Sequence, residues 1–278
     1  VKIDSQPERI VALGLPAVEA TLGLGIRPVA AGISEKLLDR PYLEQFKGED
    51  YVDSDLGTIT SASADLNYEK IAQYDPDLIV VPDWDALAES AVSEKLSGIS
   101  TVLYATTPYQ EGGWESGVQE IAAAVNEERS GDELIDRVSS AISDSAEGIP
   151  EANGKTYNVA VANDDGGVTL SPTGQYVLRG FGMTPEAGLQ AEVDSRVSGN
   201  NDISAEQLGS LTADYVFLFE FQDGGAAVKS NPFYSSIQNR VVWFDNDLSG
   251  SMNNGGVLAQ EWLTGEVAEK IAESSSVR

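Results

Sequence analysis

The chain has 278 residues, with 45 acidic against 17 basic side chains and a formal charge of −28. Such a charge repels nucleic acid and anionic membrane surfaces, so neither is expected as a direct partner, and it favours solubility, as in a salty medium. The absence of Cys and His excludes disulfides, thiolate metal sites and catalytic thiols, and removes the commonest general base and transition-metal ligand.

In chain order, IVAL at 10–13 reads as a buried strand, and Gly14 and Pro16 as the turn after it. Residues 17–24 read as a helix ending at Gly25, and RPVAAG at 27–32 as a second strand. Residues 34–46 are polar and read as helix or loop. Asn67 then caps a helix to residue 73, followed by strand 78–81, helix 85–96, strand 101–104 and a helix over 114–126. The next helix is longer. Ser130 and Glu133 have the spacing of a capping box, and Leu134, Ile135, Val138, Ala141, Ile142 and Ala146 mark one face. Gly148 and Pro150 stop it, so the helix is expected over 131–147. Its length of roughly 27 Å matches the diameter of a small domain. Strand YNVAVA at 157–162 follows, then a helix within 174–182, strand VVWFD at 241–245 and a closing helix over 256–273.

One segment occurs twice. DLNYEKIAQYDPDLIVVPDW at 65–84 aligns without a gap on DISAEQLGSLTADYVFLFEF at 202–221. Asp65 meets Asp202, Glu69 meets Glu206, Asp77 meets Asp214 and Trp84 meets Phe221. The sequence RGFGM near 180 echoes LGLGI near 24. Repetition at this separation means two similar lobes, which also suits a prior of roughly 150 residues per domain. The expected fold is α/β: two lobes with mainly parallel sheets, at 1–127 and 149–278, with the long helix over 128–148 between them, either spanning both lobes or packing within one. No stretch qualifies as a membrane span, since Pro16, Glu19, Arg27 and Pro28 interrupt the most apolar one. The chain opens on VKIDSQPERIVALG, without a visible signal peptide, so a mature or trimmed form is expected.

Enzyme signatures fail in turn. There is no Ser–His or Cys–His pair, no H-E-x-x-H and no phosphate loop, and Gly23-Leu-Gly25 lacks the third glycine of a dinucleotide fingerprint. Paired carboxylates could serve a glycoside hydrolase, but 45 acids always supply a pair. The NDDGG and FDND runs at 163–167 and 244–247 have turn chemistry and lack calcium-loop spacing. The chain is expected not to be an enzyme and to carry no cofactor or protein-bound metal. The aromatics say more. Trp84, Tyr104, Phe221 and Trp243 lie in or just beyond strands, and Tyr109 and Trp114 lie after the strand ending near Tyr104. Ligands of open parallel sheets bind outside the carboxyl ends of strands, so these side chains are candidate walls of a cleft. Core packing is the competing explanation, strongest for Tyr104 and Trp243.

The segments PERIVALGLPAVEATLGLGIRPVAAG, LNYEKIAQYDPDLIVV, ISAEQLGSLTADYVFLF and NPFYSSIQNRVVWFD, in this order and spacing, resemble the iron-siderophore and cobalamin binding proteins of ABC importers. The resemblance covers nearly the whole chain. It implies two Rossmann-like lobes joined by a single rigid bridging helix over 128–148, a shallow cleft with modest closure, an extracytoplasmic protein and, in Gram-positive bacteria, a lipid-anchored Cys upstream of this fragment. The expected ligand is a ferric siderophore, contacted by Trp84, Tyr104, Tyr109, Trp114, Arg196, Phe221 and Trp243, with the siderophore itself ligating iron. Family members that take tris-catecholates line the cleft with several bases. Here the C-lobe loops carry Asp164, Asp165 and Glu220, with Arg179 and Arg196 the nearest bases, so a neutral or cationic ferric hydroxamate is favoured. Cobalamin or haem is the alternative cargo. The resemblance also implies that Glu69 and Glu206 dock on Arg of a permease dimer, whereas each acid by itself is explained by its helix dipole. A monomer is expected, with membrane contact only through the anchor.

Overall fold

The computed structural model describes residues 6–59, 64–83, 91–107, 113–172, 175–195, 201–220 and 223–276. Two compact units emerge: Val1–Val138 with Asn254–Gln260, and Ser139–Asn253 with Glu261–Arg278. Among the described residues no helix is long and apolar enough to cross a membrane.

In the first unit β1 (Ile10–Leu13) leads into α1 (Leu15–Gly23) and β2 (Ala30–Gly32). Pro16 sits in the first turn of α1, where its missing N–H costs no helical bond. A hairpin of β3 (Gly57–Ile59) and β4 (Ala64–Leu66) precedes α2 (Tyr68–Gln73) and β5 (Leu78–Pro82). Then come α3 (Ala91–Ser97), β6 (Thr101–Ala105) and α4 (Gly113–Ala124). The sheet order is β2-β1-β5-β6 and every pairing is parallel. β1 and β5 are buried along their whole length, as continuous apolar runs covered on both faces should be.

The boundary between the units falls inside α5 (Glu128–Gly148). The helix spans the 128–148 expected for it but starts earlier than the Ser130–Glu133 spacing suggests. Asn126, at φ 57, ends the preceding helical segment, and α5 begins two residues later. Ser130 is therefore not its cap: it lies inside the helix and its hydroxyl donates to Glu127. Glu133 pairs with Arg129 at i,i+4 instead of closing a capping box. The apolar face is as expected, with Leu134, Val138 and Ile142 buried.

The second unit contains β7 (Thr156–Ala162), β8 (Val168–Leu170), α6 (Gln175–Gly180), β9 (Thr184–Pro185), α7 (Leu189–Asp194) and β10 (Asp202–Ile203). A 3-10 helix (Ala205–Ser210), β11 (Tyr215–Phe219), α8 (Gly224–Ser230), β12 (Val241–Phe244), α9 (Asn246–Asn254) and α10 (Val257–Ser276) complete the chain. Strands β9, β7, β11 and β12 are parallel neighbours, mirroring β2-β1-β5-β6. Here, however, β8 pairs antiparallel with β7, and β10 with β8, so the sheet is mixed. β9 covers one end of that edge of β7 and β8 the other. Val159 lies between them, and its N–H is taken by the Gln190 side chain at 2.7 Å, while its carbonyl accepts from Ser171 N–H at 2.9 Å.

The repeat is structural to the residue. The offset that sets Asp65 on Asp202 carries Tyr68–Gln73 onto Ala205–Ser210 and Leu78–Pro82 onto Tyr215–Phe219. The second helix is 3-10 rather than α. Its AEQLGS includes Gly209 and Ser210, poorer helix formers than the YEKIAQ of the first copy. Ser204 makes no side-chain cap bond there, whereas Asn67 accepts from Lys70 N–H at 3.1 Å. Asp77 accepts from Glu8 and Arg9 N–H at 2.7 and 2.9 Å, and Asp214 from Thr156 N–H at 2.9 Å. Each Asp thus anchors the entry of its unit's first long strand. Two further matched residues meet α5. A Cβ on Gly23 would lie 3.0 Å from Leu134 Cδ2, and one on Gly180 only 2.3 Å from Ile142 Cγ2.

Candidate ligand-binding site

The carboxyl ends of β1 and β2 in the first unit open on a cavity of about 200 Å³. Gly14 and Leu15 after β1, Gly32 to Ser34 after β2, and Gly57 to Ile59 of the hairpin line it. Glycine is required at two of these points. Gly14 has φ 80, with Pro82 of β5 3.0 Å from where a Cβ would stand. Gly57 has φ 98, and a Cβ there would fall 2.1 Å from Asp65 O. Leu37 and Arg40 complete the wall. Arg40 is half-buried and donates to the Tyr42 hydroxyl at 3.2 Å. A small, mostly apolar concavity with one guanidinium suits a compact ligand that presents an oxygen acceptor.

Glu19 of α1 is fully buried, within reach of the Arg40 charge. Its Oε2 accepts from Gly256 and Ala259 N–H at 2.8 and 2.9 Å, at the start of α10, and Oε1 has no hydrogen-bond partner. Burial pushes its pKa up to about 7, against the two N–H donors and the Arg40 charge, which pull it down.

In the second unit the strand ends are acidic. Asp164 and Asp165 follow β7, Glu220 follows β11 and Asp245 follows β12. Glu220 pairs with Lys229 of α8, whose ammonium lies 4.2 Å from the centroid of the Trp243 ring. Arg179 is committed elsewhere, to Asp194 and the Tyr157 hydroxyl at 3.4 Å each. Tyr157 stands near the start of β7, away from its carboxyl end.

Of the residues singled out in the sequence, Trp84, Tyr109, Arg196 and Phe221 lie outside the described residues. Tyr104 packs on the core of the first unit and donates to Ser93 Oγ at 2.8 Å. Trp114 is buried in the first turn of α4. Trp243 packs on the core of the second unit, donates from Nε1 to the Tyr234 hydroxyl at 3.0 Å, and borders an open groove of about 820 Å³ along the edge of β12. The described lining of the Arg40 cavity contains none of these three. Arg40 was missed in the sequence. Its signal was position alone: a base in the polar stretch just beyond the carboxyl end of the second strand. Glu69 and Glu206 are exposed in the first turns of their matched helices.

A family model described as "Periplasmic binding protein" matches residues 10–240. The chain belongs to that family. An extracytoplasmic location follows from the membership. The chain is 24% identical over 265 residues to the petrobactin-binding protein YclQ of Bacillus subtilis, covering 92% of this chain and 75% of that protein. Its fold is that of Staphylococcus aureus SirA, solved with staphyloferrin B, at a TM-score of 0.74 and 20% identity over 98% and 95% of the two chains. PiaA of Streptococcus pneumoniae, solved with ferrichrome, gives 0.72 and 21% over 99% and 95%.

Proposed function

We propose that this protein is a non-enzymatic solute-binding protein that captures a ferric siderophore and delivers it to an ABC importer. The observation that carries the reading is the family match over residues 10–240, joined to a cavity with one base at the carboxyl ends of β1 and β2. The ligands of the relatives, petrobactin, staphyloferrin B and ferrichrome, support a siderophore as the cargo. A hydroxamate type is favoured on charge. The strand ends of the second unit carry Asp164, Asp165, Glu220 and Asp245, with Lys229 already paired, so a polyanion meets net repulsion there. Arg40 joins Trp84, Tyr109, Arg196 and Phe221 in the proposed contact set, while Tyr104, Trp114 and Trp243 pack within their own units. The siderophore supplies all iron ligands. Glu69 and Glu206 dock on bases of the permease. Their exposure and matched positions support this role, and among the described residues neither carboxylate has an ion-pair partner.

The test is a titration of intrinsic Trp fluorescence with ferrichrome, ferric citrate, cobalamin and haemin. Saturable quenching by ferrichrome at micromolar concentration is expected. Quenching by cobalamin or haemin alone would replace the cargo.

A further inference from the structure

The two units differ at one connection. In the first, residues 98–100 link α3 to β6, and Ile99 packs on the core. In the second, residues 231–240 link α8 to β12. Ile237 takes the core position there, and the residues before it form a 3-10 turn, Pro232–Ser236. That turn carries Phe233, 47% accessible and the one exposed large hydrophobic among the described residues.

The turn is held firmly. Phe233 N–H donates to Asn231 Oδ1 at 2.9 Å, and Asn231 Nδ2 donates to Gly166 O at 3.0 Å. Ser236 Oγ donates to Phe233 O at 2.7 Å. Tyr234 accepts from Trp243 at 3.0 Å. The ring is thus displayed on a fixed backbone although its own fold does not bury it. The turn packs against the 3-10 helix Ala205–Ser210, which carries the exposed Glu206. An apolar knob and a carboxylate without an ion-pair partner among the described residues therefore stand on two elements packed together. A lone exposed apolar residue needs no explanation. A rigid one, on a turn packed against a helix bearing a matched acid, fits an interface anchor.

We propose that Phe233 is an anchor by which the second unit docks on the permease, inserting into an apolar pocket beside an Arg or Lys that meets Glu206. The inference rests on the reading of this chain as a permease-docking binding protein. Charge selects the occupant: at −28 a second copy is repelled, and a basic partner face is attracted.

The test complements a host strain lacking the gene with wild type, Phe233→Ala and Phe233→Leu, and measures uptake of radio-iron as a ferric siderophore. Purified proteins are compared for siderophore affinity, melting temperature and sedimentation. Phe233→Ala is expected to lower uptake about tenfold at limiting binding protein, with affinity, melting temperature and monomeric state unchanged, and Phe233→Leu to restore most of it. Wild-type uptake by Phe233→Ala would overturn the inference alone. So would a loss of uptake accompanied by loss of affinity or stability, or a wild-type dimer that Phe233→Ala dissolves. A wild type that binds no ferric siderophore would instead overturn the reading of the site, and this inference with it.

Discussion

At the residue scale, the decisive groups are a base at the strand ends and a buried acid within reach of its charge. If Arg40 contacts a siderophore oxygen, Arg40→Ala removes a charge-assisted hydrogen bond of about 1.5–3 kcal/mol. Ferrichrome affinity, measured by calorimetry, should then fall at least about tenfold, and unchanged affinity would remove Arg40 from the site. Glu19 governs a separate property. Its carboxyl is raised to about 7 in the fold from an ordinary 4.5, mainly by burial. The folded state therefore favours the protonated acid, so its contribution is fully present below pH 4.5 and lost as pH rises through about 7. Stability to urea should decline between pH 5 and 8 by up to about 3 kcal/mol, and Glu19→Gln should flatten that slope. A wild-type profile that is level across this window would contradict the assignment. Neither role was legible in the sequence. Glu19 stood there only as a break in an apolar stretch, and its partners at Gly256 and Ala259 are far away along the chain. The aromatics were legible as residues but not as orientations: Tyr104 and Trp243 sit on strands, where alternation decides the face, and both lie against a core.

At the element scale, the repeat was read correctly because it is written in local chemistry. A helix start, an Asp anchor and a buried strand recur at one offset, and the element bounds of α2 and β5 recur with them. The antiparallel β8 and β10 were not foreseen, since short strands of two or three residues leave too little alternation to detect. The capping box failed because Ser–x–x–Glu also occurs inside helices, where Glu133 finds Arg129 instead. The glycine echo had a physical cause that only packing reveals. Gly180 leaves room for Ile142 of α5, and a Cβ would stand 2.3 Å from it. Gly180→Ala should destabilise by ~1–3 kcal/mol through overpacking, and adding Ile142→Ala should relieve part of that cost. Additive effects in this double-mutant cycle would show that the two do not press on each other. Gly23→Ala should cost less, because Leu134 meets it at 3.0 Å with the end of a flexible side chain.

At the scale of the whole molecule, charge and fold make separate statements. The formal charge of −28 sets up self-repulsion that screening relieves. The melting temperature should therefore rise as NaCl increases from 0.1 M toward 1 M, where the Debye length shrinks from about 10 Å to 3 Å. A flat or falling curve would mean that these acids are already compensated in the fold. The fold class was legible because apolar strands alternating with helices have few other solutions. The cargo was not, because fold does not specify ligand, and the acidic strand ends only argue against a polyanion. The central claim is that this chain captures an intact ferric siderophore whose own atoms hold the iron. Calorimetric titration with ferrichrome, its gallium analogue, metal-free desferri-ferrichrome and ferric nitrilotriacetate tests it most directly. The iron and gallium complexes should bind alike, the metal-free ligand more weakly, and iron without a siderophore not at all. Binding of ferric nitrilotriacetate that matches or exceeds that of ferrichrome would contradict the account.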